Sequence, residues 1–334
     1  MTIDKICLSY YNNPRKVVIA DMFFFRMPIG VYSSPNDVPG GSVNDATSLI
    51  QSTEQVIYDI YDDLVELFPN NVTKQVMGEV FGKKINRYTF SNFAIENKSP
   101  SSDLAYKPFK ICIITSIHGY EQGAAWTTAL FFKYLYGSDN PYMVMLRRHV
   151  VFDVIPIANP SGFSKNKRKN DNGVDLNRNY EPDFIYSDDP KSWGYGGPQP
   201  ASELETQLIM RFIEENLDAK LVLDYHNIDK GYPLFYVYGQ KDVQLAQSVF
   251  ASLSDKWQYE YPEFPKDQLL GYVRSNGKKG MLCDYVASKG LWVLTMETPW
   301  CMPEIGKEQY DAPTIRCALD LLVNTLIAVV ENLR

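Results

Sequence analysis

The sequence predicts a layered α/β fold with a largely parallel sheet. Four nearly continuous apolar runs carry that expectation: residues 110–117 (KICIITSI), 150–158 (VVFDVIPIA), 220–226 (KLVLDYH) and 291–298 (LWVLTMET). Runs this short and this apolar suit strands covered on both faces, which is how parallel strands lie. Segments of helical character stand between them, and that alternation is the signature of a parallel sheet. At 334 residues the chain is long enough to bury roughly three quarters of its unfolded surface, so it needs neither disulfide nor metal merely to fold.

Residues 1–51 read as an N-terminal extension, aromatic and β-rich, that ends in the turn formers SSPNDVPGGSVND. Ser52 and Gln55 have the spacing of a capping box, and Val56, Ile60, Leu64 and Leu67 follow at helical intervals until Pro69. VMGEVFGKKINRYTF reads as two strands around a Gly-Lys turn. After strand 110–117 comes a helix that ends at Gly137, and after strand 150–158 a long polar loop to Pro200. Ser202 opens another helix, a loop-rich region follows strand 220–226, and residues 310–332 close the chain as an amphipathic helix. Residues 52–334 are thus expected to form one domain.

Composition narrows the class. Apolar residues make up 45% and charged residues 22%, which excludes wholesale disorder. A net charge of −7 makes bulk electrostatic binding to nucleic acid a poor fit. No run of 18 apolar residues exists to span a membrane. The start of the chain lacks a basic-then-apolar leader layout, and the five cysteines are scattered without a CxxC. The expected location is therefore cytoplasmic, with reduced thiols.

The chemistry gathers at strand ends, where open α/β sheets bind ligands. Among three histidines, His118 and His226 stand where a strand runs out into a loop. Glu121 follows His118 at i+3, which sets an imidazole and a carboxylate on one side of a helical turn. Two nitrogens and one carboxylate with an open fourth position make up a catalytic zinc site. His149 follows Arg147 and Arg148 and starts its strand at the opposite edge, so it reads as structural. Glu297 ends an otherwise apolar strand, where a carboxylate is costly unless it is paired, solvated or functional. Its functional reading is a general base. The loop 159–180 carries Arg168, Asn177 and Arg178 toward the same face, and Arg178 beside an amide suits a carboxylate clamp.

Together these residues resemble the M14 family of zinc metallocarboxypeptidases. The matching motifs are HGYE (His118 to Glu121), NPSGF (Asn159 to Phe163), Arg168 with GVDLNRNY, SELE, DYH and TME, in order along about 280 residues. The resemblance implies a mixed, mostly parallel eight-stranded sheet between helices. It implies one zinc ion per chain on His118, Glu121 and His226, with Glu297 as the base for zinc-activated water. Arg168 would stabilise the oxyanion, and Asn177 and Arg178 would hold the terminal carboxylate of a peptide substrate. Tyr272, in a variable loop, is the best match for the tyrosine that covers the substrate.

The departures are informative. Tyr120 stands where pancreatic-type members carry arginine, and Asn227 where they carry serine. The first 51 residues are short for the folded pro-segment of digestive zymogens, so none is expected. The pocket loop VRSNGKKGMLCD leaves two side-chain preferences open. Arg274, Lys278 and Lys279 would select an acidic terminal residue, whereas inward Met281, Leu282 and Cys283 would select an aliphatic or aromatic one. GYVRSNGKK fails the P-loop spacing and lacks its Ser or Thr, and neither HExxH nor GxSxG occurs. The expected activity is removal of a C-terminal residue from a peptide. The alternatives are a peptidoglycan γ-D-glutamyl-diaminopimelate peptidase, an amidase or deacylase on the same zinc scaffold, and a non-catalytic binding module.

Overall fold

The structure is a computed structural model that describes residues 46–92, 108–228, 234–238, 247, 271–275, 279–299 and 312–333. Eight strands form one sheet: β1 (Val72–Val80), β2 (Lys83–Phe90), β3 (Phe109–Thr115), β4 (Val150–Ile155), β5 (Leu221–Ile228), β6 (Leu234–Tyr238), β7 (Gly271–Ser275) and β8 (Val293–Pro299). Their spatial order is β1-β2-β4-β3-β5-β8-β6-β7. Strands β4, β3, β5 and β8 run parallel through the centre, and β6 and β7 are parallel to each other. The antiparallel pairings are β1 with β2, β2 with β4, and β6 with β8. This is the mixed, eight-stranded sheet that the family resemblance implies.

Side-chain alternation along the central strands divides the core in two. Ile111 and Ile113 of β3, Leu221 and Leu223 of β5, and Leu294 and Met296 of β8 face α1 (Ala46–Leu67), α2 (Gln122–Gly137), α3 (Pro141–His149) and α7 (Ala312–Leu333). Cys112 and Ile114, Val222, and Val293 face α5 (Leu204–Glu214) and α6 (Leu282–Ser288) on the other side. Strands covered this way need apolar residues at every position, which is why they read as continuous runs rather than alternating ones. Helix α1 buries Ile57, Tyr61 and Leu64, one turn apart, against the first of these clusters.

Several elements differ from the sequence reading. Helix α1 begins at Ala46, so Ser52 lies inside it rather than at its cap. ATSLIQ contains no glycine or proline, and nothing stops the helix from extending backward. The hairpin turn is Phe81-Gly82, with both residues at positive φ (52° and 73°). That is the handedness a two-residue hairpin requires. His149 ends helix α3 rather than starting a strand. The signal for that helix is Asn140-Pro141: the Asn140 side chain accepts from Tyr142 N–H at 2.9 Å, and proline takes the first turn. The loop-rich region after β5 contains β6, β7 and α6. Most of the N-terminal extension, residues 1–45, lies outside the described residues.

One ion pair ties the antiparallel edge to the parallel centre. Arg87 of β2 donates from Nε to Asp153 of β4 at 2.8 Å, and Asp153 is 1% exposed. Its Nη1 reaches Glu215 just past α5 at 2.5 Å, and its guanidinium lies 5.1 Å from the Phe212 ring. Arg87→Ala leaves a buried carboxylate without its partner and should cost about 3–5 kcal/mol in denaturant unfolding. The double variant Arg87→Met/Asp153→Val should recover most of that loss. A loss below about 1 kcal/mol in Arg87→Ala would place the pair among ordinary surface bridges.

Candidate metal centre and active site

The register of the parallel strands assembles the site. Thr115, the last residue of β3, is the partner of Tyr225 in β5, and His226 of β5 is the partner of Glu297 in β8. On β5, Val222, Asp224 and His226 share one face of the sheet, and on β8 Val293, Thr295 and Glu297 share the same one. Thr295 accordingly donates to Asp224 at 3.2 Å. Beyond Thr115 the chain passes through Ser116 and Ile117 to His118 and turns into α2, so three strand ends deliver His118, His226 and Glu297 to one place.

The turn carrying His118 and Glu121 is built by close backbone approach. A Cβ on Gly119 would lie 2.1 Å from the carbonyl carbon of Gly162 in α4 (Pro160–Ser164), which only glycine avoids. Asn159 caps α4 by accepting from Gly162 N–H at 2.9 Å, and Pro160 fills the first turn. Gln122 donates to Phe163 O at 2.9 Å, and Gly119 N–H donates to Arg168 O at 3.3 Å. Glu121 is the N-cap of α2 but its side chain does not cap it. Asn227 does so instead, accepting from Ala124 N–H at 2.7 Å while donating to Thr298 Oγ1 at 3.0 Å. Glu121 is thereby left for the site.

Both oxygens of Glu121 face imidazoles. Oε1 lies 2.7 Å from His118 Nδ1, and Oε2 lies 2.6 Å from His226 Nδ1. The three residues are buried, and one ligand atom from each lies within 4.8 Å of the others. Among the described residues this is the group with the composition of a metal site. Two imidazole nitrogens and a carboxylate fit zinc, and a catalytic zinc site keeps a further position open. The other nitrogen of each ring meets an aspartate: His118 Nε2 is 3.2 Å from Asp175, and His226 Nε2 is 2.9 Å from Asp224. Such carboxylate–imidazole pairs orient metal-binding rings and raise their basicity. Burial raises the Glu121 carboxyl, but His118 and His226 overcome that and hold it well below the usual range. Burial pulls the His226 imidazole down, and Asp224 and Glu121 outweigh it and push it up.

Arg168 is held from three sides. Its Nε and Nη2 pair with Asp175 Oδ2 at 2.9 and 2.8 Å. Its Nη1 approaches His118 Nδ1 at 3.2 Å and donates to Tyr120 Oη at 3.3 Å. Burial works against its charge, yet Asp175 and Tyr120 raise its pKa above the ordinary arginine value. Asp175 also accepts from Asn177 N–H at 3.0 Å and so shapes the 3-10 turn Leu176–Arg178. Asn177 accepts from Leu282 N–H at 2.9 Å, and its Nδ2 lies 3.4 Å from His226 Nε2. Arg178 leaves the same turn, with Nη1 donating to Asn177 O at 2.6 Å. Behind the loop, buried Glu203 accepts from Asn170 at 2.7 Å and Asn172 at 2.8 Å, which gives the SELE motif a bracing role.

Glu297 completes the group. Burial raises its carboxyl above the usual range, and the pull of His226 does not cancel this because Glu121 and Asp224 push the same way. A carboxyl poised upward in this way suits a group that takes and returns a proton. His149 lies at the opposite end of the sheet, before Val150, the partner of Phe109 at the start of β3. Tyr272 is the second residue of edge strand β7 rather than a loop residue, and its side chain lies outside the described residues. Of the pocket loop, Leu282 and Cys283 are fully buried, Met281 packs against the same cluster, and Lys279 is exposed. The side chains of Arg274 and Lys278 lie outside the described residues.

Sequence reasoning missed the roles of Asp175 and Asp224. Both sat inside motifs, and Asp224 carried the signal that marked Glu297: a carboxylate within an apolar strand, here wholly buried.

With this geometry in hand, a family model described as zinc carboxypeptidase, peptidase M14, matches residues 57–299. The chain belongs to the zinc carboxypeptidase family, whose members are zinc metallopeptidases. It is 30% identical to carboxypeptidase A1 of Sus scrofa over 241 residues, covering 62% of this chain and 54% of that protein. It is 27% identical to carboxypeptidase A4 of Mus musculus over 205 residues, covering 55% and 46%. The chain spans about half the length of these curated relatives. The crystal structure of a carboxypeptidase A from Helicoverpa armigera superposes with a TM-score of 0.63 at 21% identity, covering 83% of this chain and 73% of that one. At that identity the likeness speaks for the fold.

His118→Ala and His226→Ala should each abolish stable zinc binding, whereas His149→Ala should retain about one ion per chain by elemental analysis. Asp175→Asn and Asp224→Asn should each weaken zinc affinity by about 10–100-fold in chelator competition. Full zinc retention in both histidine variants would remove the assignment.

Proposed function

We propose that this chain is a zinc-dependent carboxypeptidase that hydrolyses the C-terminal peptide bond of a peptide with a free terminal carboxylate. The observation that carries the reading is the pairing of His226 with Glu297 across β5 and β8, which sets a carboxylate beside the His118-Glu121-His226 cluster. Zinc, when bound there, supplies Lewis acidity and makes water a nucleophile at neutral pH. Glu297 accepts the proton of that water and later returns it to the leaving amine. Arg168 is held by Asp175 through Nε and Nη2, so its Nη1, which also contacts Tyr120 Oη beside the metal cluster, is the donor assigned to the carbonyl oxygen as charge develops on it. Arg178 and the Nδ2 of Asn177 take the terminal carboxylate. The Leu282 N–H fixes the Asn177 amide so that its donors, not its oxygen, face the site. Anchoring that carboxylate sets the scissile bond at a fixed distance from Glu297.

Glu297→Gln should keep fold and zinc while kcat falls by at least about 10²-fold, the lower range for acid–base catalysis. Near wild-type turnover in that variant would make Glu297 structural. Arg178→Ala should impair cleavage of a peptide acid more than of its C-terminal amide, by roughly 2–5 kcal/mol in transition-state binding. Equal losses on acid and amide would favour the deacylase reading.

A further inference from the structure

Trp193 is 66% exposed, an unusual place for an indole, and its ring lies over the Arg168 guanidinium with Cζ 3.8 Å from the ring centroid. Nη1 of that same guanidinium is 3.2 Å from His118 Nδ1 and 3.3 Å from Tyr120 Oη. A single arginine thus separates the metal cluster from an indole open to solvent. Tyr120 belongs to the turn between His118 and Glu121, and its ring centroid is 6.2 Å from that of His118.

We propose that Trp193 determines specificity by receiving the side chain of the residue that supplies the scissile carbonyl, and that it favours an apolar or aromatic one. The inference rests on the assignment of Arg168 Nη1 to the carbonyl oxygen made above. The side chain of that residue starts two bonds from the carbonyl oxygen's carbon, and Trp193, stacked on the guanidinium, is the apolar surface adjoining it. Asp175 already pairs with Nε and Nη2 of Arg168, so an acidic side chain there would meet a carboxylate as well as the guanidinium. An indole face stacks on aromatic rings and covers aliphatic ones.

The test uses full-length, zinc-loaded protein and peptides Ala-Ala-X-Z. Z is fixed at one terminal residue, and X is Phe, Leu, Gly or Glu. Binding is measured by calorimetry in the Glu297→Gln background and turnover in the parent. The parent background should bind X = Phe at least about tenfold more tightly than X = Gly or Glu. Adding Trp193→Ala should shrink the Phe-to-Gly ratio to within about threefold, and Trp193→Phe should restore it. A merely structural role for Trp193 would weaken all four peptides alike and leave the ratio unchanged, which overturns the proposal. Preference for Glu, or no binding of any peptide, also overturns it. So does selective loss, in Trp193→Ala, of a disaccharide-bearing muropeptide while the X series is unmoved; the indole would then serve a sugar ring. Discrimination in binding without turnover in the parent would refute the proposed reaction while upholding this subsite.

Discussion

The parallel register of β3, β5 and β8 is the constraint on which the site depends. Strand pairing makes His226 and Glu297 direct neighbours and puts Thr115 beside Tyr225, so the chain leaving β3 must turn over the end of β5. A slip of one residue in β5 would send His226 into the helix-covered face where Tyr225 lies and bring Tyr225 to the metal side. Such a slip would also bury polar side chains among Leu294, Met296 and α7, so the hydrophobic core enforces the register that chemistry uses.

Charge is balanced around that register. Glu121, Asp175, Asp224 and Glu297 are four carboxylates in a small volume, and they are tolerable because each has a cationic or proton-donating neighbour. Asp175 lies between His118 and Arg168, and its carboxyl is held below the usual range against the upward push of burial. Asp224 shares His226 and Thr295. Glu297 has its carboxyl driven upward while Glu121 and Asp175 are held below the usual range, which separates the base from carboxylates that hold and orient. The two aspartates act on opposite imidazoles, so the two rings are fixed by equivalent means from different strands and loops.

Much of this was legible in the sequence because buried parallel strands are nearly continuous apolar runs, and a polar residue within one announces itself. His226, Glu297 and the ends of β3, β5 and β8 followed from that signal. Helix α3 escaped because PYMVMLRRH is only nine residues and half-exposed, and its Asn-Pro start was the better clue than its periodicity. The start of α1 escaped because a capping box is a local signal and Ala46–Gln51 contains nothing to halt a helix. Asp175 escaped for a different reason: it orients His118 from another segment, so no spacing rule connects the two. Asp224 stands two residues before His226 on the same face of β5, and that i, i+2 spacing was the signal available for it. Trp193 lies in a Gly- and Pro-rich stretch, where the stacking on Arg168 arises from the fold rather than from sequence neighbours.

The most direct test of the account is product analysis by mass spectrometry after zinc-loaded protein acts on a peptide in oxygen-18 water. The account predicts loss of one C-terminal residue, with a single oxygen-18 in the newly formed terminal carboxylate of the shortened peptide. Internal cleavage, or removal of an acyl group with the C-terminus intact, would contradict it.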